Sequence, residues 1–209
     1  MEGTSAIREL LREIHYIDKD VTLAINSINT PFTDSLWALF SNKEIWIVLY
    51  LAVLVTFFVR LGWKKALLSL IMCILCVVIC DQSCNLCKAF FERLRPCHDL
   101  DMISRGLHML EGKGNLYGFF SAHAANAMGF AMCSYGCLKM GNSKRKSSYG
   151  ICISIWAILV GISRVFVGKH FLGDVLVGLT YGFIVGSLLA LLARQIAKWY
   201  SDRQERTPL

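Results

Sequence analysis

Charge is scarce in this chain. Only 18% of its 209 residues are Asp, Glu, Lys or Arg, while 55% are hydrophobic and the mean hydropathy is +0.50. That balance excludes an ordinary soluble domain and fits one integral membrane domain of five or six spans. The N-terminus lacks the basic start and apolar run of a secretory signal. It carries Glu2, Glu9, Glu13, Asp18 and Asp20 instead, and no cleavable leader is expected. Internal repeats are absent and the notable charges fall at span ends, which argues against a transporter or channel. No cluster of Asp and Glu suits magnesium. A net charge of +7 would suggest a nucleic-acid partner in a soluble protein. Here membrane topology explains the cations better, and no nucleic acid is expected.

Cysteine, by contrast, is plentiful, with nine residues. Cys73, Cys76, Cys80, Cys84 and Cys87 follow helical spacing inside one apolar segment. They lack the loop context of a zinc site and read as small polarizable residues packing helix on helix.

Helical spacing of Ile7, Leu10, Leu11, Ile14 and Ile17, with Arg8, Arg12 and Glu13 between them, predicts an amphipathic helix lying on the membrane surface within residues 1–43. A transmembrane domain is expected over 44–199, with a polar tail over 200–209. The fold class is therefore an all-α integral membrane helix bundle of about five transmembrane helices plus the interfacial one. The spans are Glu44 to Val59, Ala66 to Cys80 with a polar continuation to Arg95, Ser121 to Leu138, Tyr149 to Val165, and Phe171 to Ala193. Pro96 is expected to end the second, and Gly178, Gly182 and Gly186 on the fifth let a neighbour approach closely.

The turns 60–65 and 139–146 hold three and four basic residues and no acids, whereas residues 1–43 hold four basic residues against six acids. The positive-inside rule then puts both turns and the tail in the cytoplasm, and residues 97–118 and 164–170 outside.

Polar residues gather in three groups on that outer side. In Ser163-Arg164 through His170 to Asp174, the histidine and aspartate are four apart, so one helical turn brings them together. A carboxylate there fixes the imidazole's tautomer and supports its charge. Lys88 and Arg95-Pro96 are seven apart, near two turns, so both cations can share a helix face, where an anion such as phosphate would relieve their repulsion. Arg93 falls off that face and reads as an ordinary headgroup-level cation. Phe120-Ser121-Ala122-His123 opens a span: Ser121 suits an N-cap, free N–H groups there attract an anion, and its hydroxyl is a further candidate phosphate contact. Singly, Arg164, His170 and His123 also read as snorkelling or interfacial residues; three groups on one face are not what snorkelling requires.

Lys-x6-Arg-Pro, Ser-x-His and Ser-Arg-x5-His-x3-Asp, in this order, resemble the motifs of the type-2 phosphatidic acid phosphatase superfamily over about residues 80–190. The context RLRPCHD, SAHAAN and SRVFVGKHFLGD is similar to its bacterial membrane lipid phosphatases, among them undecaprenyl-diphosphate and lipid A phosphatases. The resemblance implies that His170 attacks phosphorus to give a phosphohistidine, that Asp174 orients it, and that His123 protonates the leaving lipid oxygen and then activates water. It also implies that Lys88, Arg95, Arg164, Ser121 and the Ala122 N–H hold phosphate, with no metal or other cofactor. The family's second motif is often Pro-Ser-Gly-His, and Ala122 in place of the glycine requires a helical turn there. The implied partners are the bilayer and a phosphorylated lipid, and the implied location is the bacterial inner membrane with the site facing outward. Lipid A, undecaprenyl diphosphate, phosphatidylglycerophosphate and phosphatidic acid all fit, as does phosphotransfer to a second lipid. His98, His108, Lys113 and Tyr117, in or beside the loop 97–118, are candidates for headgroup contact.

Overall fold

The computed structural model describes residues 2–141 and 146–206. It is an all-helical bundle, with α1 (Glu2–Asn26), α2 (Pro31–Ser41), α3 (Lys43–Leu61), α4 (Trp63–Phe91), the short α5 (Leu100–Ser104), α6 (Ala122–Leu138), α7 (Lys146–Phe166) and α8 (Leu172–Arg206). Among the described residues only an isolated bridge, Leu94 to Tyr117, has strand geometry. The chain is a multi-pass membrane protein. Among the described residues, four helices are long and apolar enough to cross a bilayer: Lys43–Leu61, Trp63–Phe91, Ser147–Phe166 and Leu172–Gln204.

The remaining expected span is α6, which at 17 residues reaches only about 26 Å. It is enclosed by the others, with buried residues on every face from Ala124 to Leu138. Small residues allow this. A Cβ at Gly178, Gly182 or Gly186 of α8 would run into the carbonyl oxygens of Ser121, Ala125 and Gly129 on α6. Three glycines at four-residue spacing thus bring the two backbones into direct contact. Cys76 and Cys80 of α4 fill the opposite side, against Gly129. All nine cysteines are unbridged, and Cys73, Cys76, Cys80 and Cys84 of α4 pack with Cys133 and Cys137 of α6 in the core between helices.

Two boundaries depart from expectation. α8 does not stop near Ala193 but continues as helix to Arg206. α4 stops at Phe91, so Arg95 is not helical. Glu92 turns left-handed with φ 46° and donates to the Lys88 carbonyl, and the next residues run extended into the bridge at Leu94. Arg95 itself is extended, as a residue before proline prefers, and Pro96 opens a 3₁₀ turn.

The basic turn at 60–65 meets the far ends of α6 and α8. The Lys64 ammonium approaches the Tyr200 hydroxyl at 3.2 Å, and Gly141 packs beside Arg60 and Leu61. Lys144 and Arg145 of the second basic turn lie outside the described residues. At the opposite end, α1 caps the bundle. Its apolar stripe, Ile7, Leu10, Leu11, Ile14 and Ile17, is exposed, while Asp18, Thr22 and Asn26 turn inward. Such a helix is inside out for water and right for a membrane surface. Asn26 holds it by donating to the Val165 and Phe166 carbonyls and accepting from the His108 N–H.

Candidate active site

The three motifs meet at the capped end. His170 lies in the link between α7 and α8 and is only 2% exposed. Its Nδ1 is 3.4 Å from Oδ2 of the fully buried Asp174, in the first turn of α8. The Phe171 N–H also donates to that oxygen, at 3.3 Å. Gly118 makes room for the pair, since a Cβ there would stand 3.2 Å from the carboxylate, 3.5 Å from Nδ1 and 3.0 Å from the Arg95 side chain. With Nδ1 committed to Asp174, Nε2 is the nitrogen left for a substrate.

A cavity of about 360 Å³ stands before His170. Lys88, Arg95, Ala122, His123 and Arg164 all line it. The sequence-predicted cations are therefore gathered, though Lys88 arrives on a helix and Arg95 on an extended segment. Arg95 is anchored by its Nε, which donates to the Tyr117 carbonyl at 3.1 Å. Neither Lys88 nor Arg95 forms an ion pair among the described residues. His123 enters from the first turn of α6, its ring 5.5 Å from that of Trp46. Ala122 is the first helical residue, as its side chain requires.

Burial pushes the His170 imidazole well below its ordinary value, and Arg164, Arg95, Lys88 and Lys169 push it further the same way. It is thus neutral near pH 7, with a lone pair free on one ring nitrogen. Desolvation also lowers the Arg95 and Lys169 values, which marks a site poised for an anion.

Four expectations change. Ser121 is fully buried and does not line the cavity; its hydroxyl accepts from the Ala124 N–H as the α6 N-cap, and its N–H donates to the Asp174 carbonyl. Arg164 is already engaged: Nη1 donates to the Ser41 hydroxyl, and both Nη atoms reach Glu111 at 3.3 and 3.4 Å, leaving the buried Nε without a partner among the described residues. Arg93 is no headgroup cation. It donates to Asp174 Oδ1 and Asp18 Oδ2, each at 2.6 Å, and stacks over the Phe171 ring at 4.3 Å. Finally, the two loop histidines are engaged within the protein: His98 Nε2 lies 3.2 Å from the Gly114 carbonyl and His108 pairs with Asp34 at 3.0 Å, whereas Tyr117 and Lys113 are fixed through their backbones and the Lys113 side chain is exposed. Glu111 and Asn115 of this loop also reach the site.

The family model of the PAP2 superfamily matches residues 63–198. A lipid A 4′-phosphatase of Bacteroides thetaiotaomicron is 32% identical over 192 residues, covering 89% of this chain and 81% of that protein. A lipid A 4′-phosphatase of Porphyromonas gingivalis is 32% identical over 173 residues, with 81% and 70% covered. Among solved structures, the transmembrane PAP2-type phosphatidylglycerolphosphate phosphatase of Bacillus subtilis superposes with a TM-score of 0.67 at 24% identity, covering 89% of this chain and 87% of that one. Aquifex aeolicus LpxE superposes at 0.61 and 24%, with 82% and 93% covered. The likeness in sequence spans the cavity-lining helices and most of each relative's length, and on that footing the chain belongs to the PAP2 superfamily as a membrane lipid phosphatase.

Proposed function

We propose that the chain removes phosphate from a lipid A-type glycolipid at the outer face of the inner membrane, through a phosphohistidine on His170. The observation that carries the mechanism is the neutral His170 held by a buried carboxylate and facing a cavity lined by Lys88 and Arg95, neither in an ion pair among the described residues. The Nε2 lone pair attacks phosphorus as the bond to the lipid oxygen breaks. The Asp174 carboxylate stabilises the charge that develops on the ring. His123 gives its proton to the departing lipid oxygen, then takes one from the water that cleaves the P–N bond and releases phosphate. Lys88, Arg95 and Arg164 hold the equatorial oxygens throughout.

The polar cavity shares Tyr50 and Val77 with an apolar groove of about 350 Å³ between α3 and α4, which suits an acyl chain. The outward orientation is supported by the basic residues that collect at the other end of the bundle. The lipid is supported by the two curated relatives.

Phosphate release by the purified protein from lipid A, undecaprenyl diphosphate, phosphatidylglycerophosphate and phosphatidic acid tests the substrate. Lipid A is expected to give the highest kcat/KM, and no release from it would sink that assignment. A His170→Ala protein that folds and keeps full activity would sink the mechanism.

A further inference from the structure

The cavity contains more than a phosphate site. Down one face of α4 run Lys88, Asn85, Asp81 and Val77, at spacings of three or four residues, and all four line the cavity. At 1.5 Å per residue, Asp81 lies about 10 Å below Lys88, toward the middle of the membrane. On α6, His123 is followed one turn deeper by Asn126, which also lines the cavity. The next turn brings Phe130, which lines the apolar groove instead. Two helices therefore carry the same sequence of layers: ionic at the top, uncharged amide or carboxylate in the middle, hydrocarbon below.

The middle layer is unexplained by phosphate chemistry. The Asp81 carboxylate would repel an anion, yet it shares the cavity with the phosphate cations. Its partner is Asn85, which donates to Oδ2 at a long 3.4 Å. On α6, lining the same cavity, Asn126 Oδ1 is buried with no hydrogen-bond partner among the described residues. A buried acceptor without a donor is costly and marks a place where a ligand supplies one. Asn126 Oδ1 and the weakly engaged Asp81 carboxylate are both acceptors, so a ligand that pairs with them brings O–H or N–H donors.

We infer that Asp81 and Asn126, with Asn85, form a subsite for the hydroxyl and amide N–H groups of an acylated sugar that bears the phosphate. The inference rests on the phosphatase reading and deepens it by naming the leaving group. His123 protonates the departing oxygen from the first turn of α6, so the carbon skeleton attached to that oxygen descends into the middle layer. A sugar there satisfies the acceptors. A prenyl chain would instead bury the Asp81 carboxylate against hydrocarbon. A prenyl diphosphate would set its second phosphate against the same carboxylate.

The test compares kcat/KM for lipid A with that for a polyprenyl monophosphate, which offers the same phosphate and no neighbouring donors. Asp81→Leu and Asn126→Leu, checked for matching thermal melting in detergent, are expected to lower the ratio of the two by about ten- to a hundredfold. An unchanged ratio overturns the subsite, and so does a loss shared equally by both substrates, which marks a structural or general catalytic role. A native protein that hydrolyses only the prenyl phosphate overturns the subsite and leaves the phosphatase reading standing. One that hydrolyses neither overturns both.

Discussion

Arg93 and Arg95 are separated by one residue and end on opposite sides of the same dyad. Arg93 lies behind it, with Asp174, Asp18 and His15 all within 3.2 Å of its guanidinium. Arg95 lies before it, lining the cavity with only its Nε bound to a carbonyl. The difference is one of satisfaction. The back of the site is a closed ion-pair network, which holds α1, α8 and the 92–96 segment in one geometry. The front is left incomplete. Arg93 is satisfied within the protein while Arg95 stays open to the cavity, and neither placement can be read from the residue type.

The largest expected effect concerns the group between the two sides. His170→Ala should cut phosphate release by about 10⁴-fold or more, toward background, with the melting temperature little changed. A comparable loss of melting temperature would mean that the imidazole is structural.

The next effect separates the two arginines. Arg93→Ala strips a buried carboxylate of its counter-ion and should cost about 3–5 kcal/mol of stability, read by denaturation in detergent. Arg95→Ala should leave stability near the native value and lower kcat/KM by about 10²–10³-fold. The reverse pattern, a stable Arg93 variant and an unstable Arg95 variant, would break the comparison.

How far the sequence carries this reading follows from range. His170 and Asp174 are legible because a helix sets their spacing. Lys88, Arg95 and His123 are legible because each sits near a span end in a recurring motif. The partners of Arg93 and Arg164 are not, because Asp18 and Glu111 lie 75 and 53 residues away and no local spacing sets those long-range contacts. A signal did exist: the excess of acids in residues 1–43 asks for cations, and Arg93 answers it. Pro96 was a misleading guide to the end of α4. It restricts Arg95, but the break comes at Glu92, where the chain turns left-handed to meet Tyr117.

A smaller effect sharpens the front side. Glu111 competes with any incoming anion for Arg164. Glu111→Gln should therefore tighten inhibition by vanadate, a phosphate mimic, by roughly tenfold and slow turnover through product retention. Weaker vanadate binding would show that Glu111 chiefly positions the guanidinium.

The smallest effect is a shift in pH dependence, and its sign follows from the charges around His170. Burial and the facing cations Arg164, Arg95, Lys88 and Lys169 hold its pKa well below 6.5. If the neutral ring is the attacking form, as proposed, the acid limb of the rate profile set by this group should fall below the ordinary histidine range. The same depression costs stability in acid: the unfolded chain binds this proton as pH drops through 6.5 while the folded one does not, so stability declines from there downward. Asp174, in contact with the ring, favours the charged form and limits the depression. Arg95→Gln removes a like charge from the front, so the imidazolium becomes easier to form and the acid limb should move to higher pH. Arg93 acts on His170 through Asp174: replacing it with Lys keeps the carboxylate paired and should leave the limb in place. If the limb moves in the Arg93→Lys protein and stays put in Arg95→Gln, the closed network rather than the open cavity governs the nucleophile.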